Sequence, residues 1–267
     1  MHSSQPPVNV CPKSSPSGSE QVALEQARPQ AIFLDAVGTL FGVQGSVGEV
    51  YGELCQRVAG VKVNAAALDQ AFYQSFRESP AAAFPDLDSE HLKQAEYQWW
   101  YRVAQQAFER SGYLPQFTDF EAFFPVLYQH FETAEPWQVY DDTRAALAHW
   151  RDSGITLAIV SNFDTRLFSV LKALDLAQFI NSITISTQVG AAKPDPLIFK
   201  VALDKHGLPA SDVWHVGDSY SQDYLGAAAA GLQAFWLNRP EEPQPLPEQA
   251  ALTQVRSVSS LLGLPKL

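Results

Sequence analysis

The sequence predicts an α/β protein: a five-stranded parallel sheet with helices on both faces, interrupted after its first strand by an all-helical block. Three observations predict it. From residue 141 onward, short apolar runs of strand length alternate with amphipathic segments of helix length. Between the first such run and residue 141 only the helical period is visible. Polar residues able to do chemistry stand directly after the apolar runs, where an open parallel sheet keeps its ligands.

The elements follow in order. Residues 1–29 contain Pro6, Pro7, Pro12, Pro16, Pro29 and many serines, which predicts a flexible tail. It has no apolar core of a secretory signal, and its acids Glu20 and Glu25 beside Arg28 argue against a transit peptide. Residues 31–34 form a buried strand that stops at Asp35, before Gly38 and Thr39. Amphipathic helices then cover 47–59, 65–78, 90–111 (with Trp99 and Trp100 in its middle) and 119–131, punctuated by Pro80, Pro85, Gly112 and Pro115. No strand pattern interrupts this block.

A helix over 143–152 is closed by Gly154, and a strand follows over 155–160. Asp164 or Thr165 caps the next helix, which runs to about residue 174. A short strand covers 182–186. Asp195 followed by Pro196 is an N-cap with proline at the first helical position, and that helix ends at Gly207. A strand over 213–216, a helix over 222–230 stopped by Gly231, and a strand over 233–237 complete the alternation. Residues 239–249 are rich in proline and glutamate, and 257–262 reads as a closing helical turn. The expected organisation is therefore a tail (1–29), a core (30–41 and 141–267) and an inserted helical domain (42–140).

Composition narrows the partners. The chain has 267 residues, 46% of them hydrophobic, with 18 Lys plus Arg against 29 Asp plus Glu and a net charge of -11. That balance argues against nucleic acid and anionic membranes as partners, and no apolar run has the length of a membrane span. A small anionic ligand is still compatible, because a bound cation reverses the field inside one pocket. Cys11 and Cys55 have no metal-ligand spacing, and Cys11 lies in the tail, so a reducing, cytoplasmic setting is expected. Monomer and homodimer are both compatible with the sequence.

Four polar signals lie beyond successive strands: Asp35, then Ser161-Asn162, then Lys193, then Gly217-Asp218-Ser219 with Asp223. A parallel sheet brings all its carboxyl ends to one edge, so these groups can converge. A carboxylate can act as nucleophile, and several carboxylates with carbonyl oxygens suit Mg²⁺. A metal and a lysine neutralise a transferring phosphoryl group.

The set Asp35-Ala-Val-Gly-Thr39-Leu, Ser161-Asn-Phe-Asp164, Lys193-Pro-Asp195 and Gly217-Asp218-Ser219 with Asp223 resembles the haloacid dehalogenase-like (HAD) hydrolases. The Val-Ser-Asn-Phe-Asp run is similar to the subgroup of haloacid dehalogenase-like hydrolase domain-containing protein 3. The resemblance covers residues 30 to 238 and implies a Rossmann-like core with 42–140 as its cap. It implies Asp35 as nucleophile and Mg²⁺ ligand, with the Val37 carbonyl, Asp218 and Asp223 as further ligands. It implies Ser161, Thr39, Asn162 and Lys193 on the substrate, with Lys193 paired to Asp35. The expected substrate is a small phosphorylated metabolite.

One position departs from the phosphatases of that family. They carry a second aspartate two residues after the nucleophile, as general acid and base; here Val37 stands there. Valine does neither job, which leaves three readings: a phosphatase that is slow, restricted to good leaving groups, or served by another acid; dehalogenase- or phosphonatase-like chemistry; and a non-catalytic binding domain. Asp164 and, less readily, His215 are the substitute acids the sequence offers. Retention of Asp218 and Asp223 favours the metal-dependent reading, and Lys62 and Lys93 have no context suited to a Schiff base. Trp99, Trp100, Tyr97, Tyr101, Tyr220 and Trp236 read as packing residues. Arg57, Arg77, Arg102 and Arg110 read as solvated helix-face residues.

Overall fold

A computed structural model describes residues 28–240, 243–245 and 255–265. Of the expected tail only residues 28 and 29 are among these; Cys11 and most of the 239–249 stretch lie outside the described residues.

Strand β1 (Ala31–Leu34) turns into β2 (Phe41–Val43), and helices α1 (Val47–Leu54), α2 (Ala65–Glu78), α3 (Ser89–Arg110) and α4 (Phe120–His130) follow. Strand β3 (Trp137–Val139) then returns the chain to α5 (Thr143–Asp152), β4 (Thr156–Ser161) and α6 (Arg166–Ala173). After β5 (Ser182–Ile185) and its short continuation α7 (Ser186–Val189) come α8 (Pro196–His206) and β6 (Val213–Gly217). A π-helical turn over Tyr220–Leu225 runs into α9 (Gly226–Ala229), and β7 (Gln233–Leu237) and β8 (Ser257–Val258) end the sheet.

The sheet is parallel throughout, in the order β5-β4-β1-β6-β7-β8. Strand β1 lies between β4 and β6, so the winding direction reverses at its carboxyl end, which is where such sheets form a binding crevice. The period-two alternation of β1 sends Ile32 and Leu34 to one face and Ala31 and Phe33 to the other. Leu147, Trp150, Leu167 and Leu171 of α5 and α6 cover the first face; Ile198, Phe199 and Ala227 of α8 and α9 cover the second. The helical block packs its own apolar cluster, with Leu68, Trp99, Val103, Phe108, Phe124 and Leu127 buried together.

The helix starts follow their side chains. Ser46 and Glu49 close a capping box at α1, Asn64, Asp88 and Asp119 accept backbone N–H groups at α2, α3 and α4, and Asp195 does so at α8.

Three features correct the sequence reading. Among the described residues the sheet has six strands rather than five, because Ser257–Val258 pairs with β7, and the closing helical turn expected over 257–262 is confined to a 3-10 turn at Leu261–Gly263; two residues are too few to show a period. The block between β1 and α5 contains strands after all: β2 and β3 form an antiparallel ribbon at its two ends. Its six residues hide beside the strong helical patterns on either side. The helix expected over 222–230 starts at Tyr220 with a π-helical turn, in which Asp223 and Tyr224 both donate their N–H groups to the Ser219 carbonyl.

Candidate active site

Asp35 leaves β1 at the reversal point, its own N–H donating to the Val216 carbonyl of the neighbouring strand. The chain then turns tightly, with the Leu40 and Phe41 N–H groups both on the Ala36 carbonyl. Gly38 sits in this turn at φ 87°, in the left-handed region. A Cβ there would fall 2.5 Å from the Asp218 carboxyl, so the absence of a side chain is what lets Asp218 lie against the loop. Gly217 makes the corresponding space for the Asp223 carboxyl.

The three carboxylates converge. One oxygen from each of Asp35, Asp218 and Asp223 lies within 4.8 Å of the others. Lys193, 4% exposed, donates from Nζ to Asp35 Oδ1 and to Asp223 Oδ1, each at 2.6 Å. Asp223 also accepts from His215 Nε2 at 2.9 Å and from the Ser219 N–H at 3.0 Å. The π-helical turn thus aims Asp223 back at the strand it follows.

The electrostatics follow from this crowding. Burial raises the pKa of Asp35, with Lys193 pulling against it and Asp223 adding to it, and the Ser161 hydroxyl favours the charged form. Burial also acts against Asp223, yet Lys193 and His215 hold it well below the usual carboxylate range. Lys193 is held charged by Asp223 and Asp35 despite its burial. Asp218 is pushed up to about 8, first by burial and then by the charges of Asp35 and Asp223. Three acids therefore share one lysine, and Asp218 carries the cost.

The remaining sequence-selected residues fall around this centre. Ser161 ends β4 and is buried beside Asp35. The Asn162 carboxamide accepts the Lys193 N–H at 2.7 Å and donates to the Lys193 carbonyl at 2.9 Å, so its side chain is committed to the lysine's main chain. Thr39 is fully buried in the turn, and its hydroxyl has no protein partner among the described residues. Its carbonyl accepts from Arg239, which also pairs with Asp142. Val37 is half-buried and packs against the apolar core.

The two substitute acids are both occupied. Asp164, 1% exposed, takes Nε and Nη2 of Arg166 on its two oxygens, at 2.9 and 2.6 Å, and the Trp100 indole N–H at 2.6 Å. His215 is fully buried, with Nε2 on Asp223 and its ring edge-on to Phe199. Arg57, Arg77, Arg102 and Arg110 are exposed, as the helix period predicts. Sequence reasoning passed over Arg166 and Glu96, a carboxylate 1% exposed in α3. Glu96 had a signal: it falls in the buried stripe Leu92, Glu96, Trp99, Val103, Ala107, where an acid needs a partner.

A family model for haloacid dehalogenase-like hydrolases matches residues 29–231. "Haloacid dehalogenase-like hydrolase domain-containing protein 3" of Bos taurus is 35% identical over 214 residues, covering 79% of this chain and 82% of its own length. "Phosphoserine phosphatase" of Thermus thermophilus is 33% identical over 153 residues, covering 55% and 59%. A crystal structure described as a dehalogenase superposes with a TM-score of 0.62 at 22% identity, covering 88% of this chain and 95% of that one. The HAD-hydrolase YfnB of Bacillus subtilis, bound to magnesium, superposes with a TM-score of 0.60 at 16% identity, covering 89% and 97%.

Proposed function

The chain belongs to the haloacid dehalogenase-like hydrolases, and from that premise we propose that it hydrolyses a small phosphorylated metabolite through a covalent intermediate on Asp35. The observation that carries this reading is the convergence of three buried carboxylates with one lysine at the reversal point of the sheet. A phosphatase among the relatives supports it.

The donor set suits Mg²⁺. Three hard oxygen ligands face one another with a single ammonium to balance them, and the raised pKa of Asp218 reports burial and then like charge, both of which a divalent cation would offset. Asp35, Asp218, Asp223 and the Val37 carbonyl would hold the ion. When bound, it would neutralise charge on the phosphoryl oxygens.

The residues divide the remaining work. Asp35 attacks phosphorus, the bond from phosphorus to the leaving oxygen breaks, and water then splits the aspartyl phosphate into the Asp35 carboxylate and phosphate, its two protons leaving on the phosphate. Lys193 favours the ionised form of Asp35 against its burial and faces the transferred group. Ser161 and the turn at Thr39 bind its oxygens, and Asn162 sets the lysine's main chain. The helical block, 42–140, is the cap that excludes water. The leaving oxygen finds no acid at Val37, and Asp164 and His215 are taken by other partners. The substrates are therefore those whose leaving group departs without a proton: aryl, enol or acyl phosphates. A reducing, cytoplasmic location suits the buried free thiol of Cys55. Among the described residues no helix is long and apolar enough to cross a membrane.

Phosphate release from p-nitrophenyl phosphate, acetyl phosphate and glycerol phosphate tests this. Release from the first two, dependent on Mg²⁺ and abolished in Asp35→Asn, is expected. No release from any of them, with halide freed from 2-chloropropionate, would instead establish the carbon–halogen chemistry that Val37 also permits.

A further inference from the structure

The loop after β4 is gripped from the helical block, and the grip runs without a break to Lys193. Glu96 of α3 accepts the Thr165 N–H at 3.0 Å, the Thr165 hydroxyl, and the Thr187 hydroxyl of α7 at 2.6 Å. One turn on, Trp100 donates its indole N–H to Asp164 at 2.6 Å. Asp164 is paired with Arg166, whose guanidinium lies 3.9 Å from the Tyr128 ring centre of α4 and donates to the Tyr128 carbonyl. The loop before α3 joins in, its Ala82 carbonyl accepting from the Ser186 hydroxyl.

These contacts act together. Glu96, Asp164 and Arg166 are all buried, so withdrawing the helical block would strip partners from several desolvated groups at once. The latch is therefore either whole or open. Its core side is only two residues from Asn162, whose carboxamide fixes both main-chain groups of Lys193. Lys193 in turn reaches Asp35 and Asp223.

We propose that Trp100 and Glu96 are positioning residues that place Lys193 through the segment 162–165, so that the reactive pair is set only when the helical block is docked. The proposal rests on the reading of Asp35 and Lys193 as the reacting pair, yet its placement of the lysine can be measured without turnover. The polar latch uses two α3 side chains, Trp100 and Glu96, that the sequence assigns to packing or to nothing.

The test uses Trp100→Phe, which deletes the indole N–H together with one ring, and Thr165→Val, a near-isosteric change that deletes one hydroxyl, with Thr165→Ser as the conservative control. Hydrogen exchange is read at the Lys193 amide, whose acceptor is Asn162. Exchange there is expected to quicken about tenfold in the first two variants, with kcat for p-nitrophenyl phosphate falling about tenfold at little change in KM. Mg²⁺ affinity stays as in the wild type, and Thr165→Ser restores both readouts. Wild-type exchange at Lys193 in Trp100→Phe and Thr165→Val, whatever the kinetics, overturns the proposal. So does a loss of Mg²⁺ affinity equal to the loss of kcat, because the damage would then be to the acidic centre itself. If no phosphate ester is turned over, the proposed activity fails while the exchange result still decides the latch.

Discussion

At the scale of single residues, Val37 carries the most weight in the proposed chemistry. It is legible because valine stands two residues after Asp35, where the phosphatases that the motif resembles carry a second aspartate. What the sequence left open was whether another acid takes its place, because that depends on where Asp164 and His215 spend their hydrogen bonds. Restoring the carboxylate with Val37→Asp is expected to raise turnover of an alkyl phosphate such as glycerol phosphate by roughly 10²- to 10⁴-fold, the usual worth of a positioned general acid. Steady-state phosphate release measures it, and no gain would show that the loop does not present position 37 to the leaving oxygen. Asp218 gives a second residue-scale expectation. Its pKa is about 8 in the fold against 3.8 as a free side chain, so its protonated form suits the folded state. The stability this contributes is complete below the lower value and is lost as pH rises toward the higher one. Thermal melts without metal are expected to show Asp218→Asn gaining on the wild type across that window; parallel profiles would contradict the crowding.

At the scale of elements, strands and helices with strong periods could be read from the chain, and so could the turns that carry the motifs. The Asp195-Pro196 start and the Gly207 stop of α8 match their sequence signals. Some of the shortest elements could not be read: β2, β3 and β8 owe their form to partners distant in sequence. The π-helical turn after β6 was equally hidden, since the contacts of Asp223 that accompany it, with His215 and Lys193, are made to other elements. The turn after β1 is the element most sensitive to change. Gly38→Ala would place a methyl against the Asp218 carboxyl and force a non-glycine residue to φ 87°. Loss of Mg²⁺-dependent phosphate release is expected, with the sheet still folded by circular dichroism. Wild-type rates in this variant would mean that Asp218 need not lie against the loop.

At the scale of the whole molecule, the sheet reverses direction at β1, and three segments distant in sequence deliver one lysine and three acids to that point. The order of the motifs along the chain made this convergence foreseeable. The docking of the helical block was not, because Glu96, Trp100 and Arg166 acquire meaning only through each other. The acidic chain, at net charge -11, thus concentrates at one place a site whose three carboxylates exceed its one cation. Titration calorimetry with Mg²⁺, on the wild type and on Asp218→Asn, measures whether that imbalance is a metal site. A single saturable Mg²⁺ site in the wild type, lost in the variant, is the predicted result. Absence of binding in the wild type, or equal binding in both, would contradict a hydrolytic centre built on Asp35, Asp218 and Asp223.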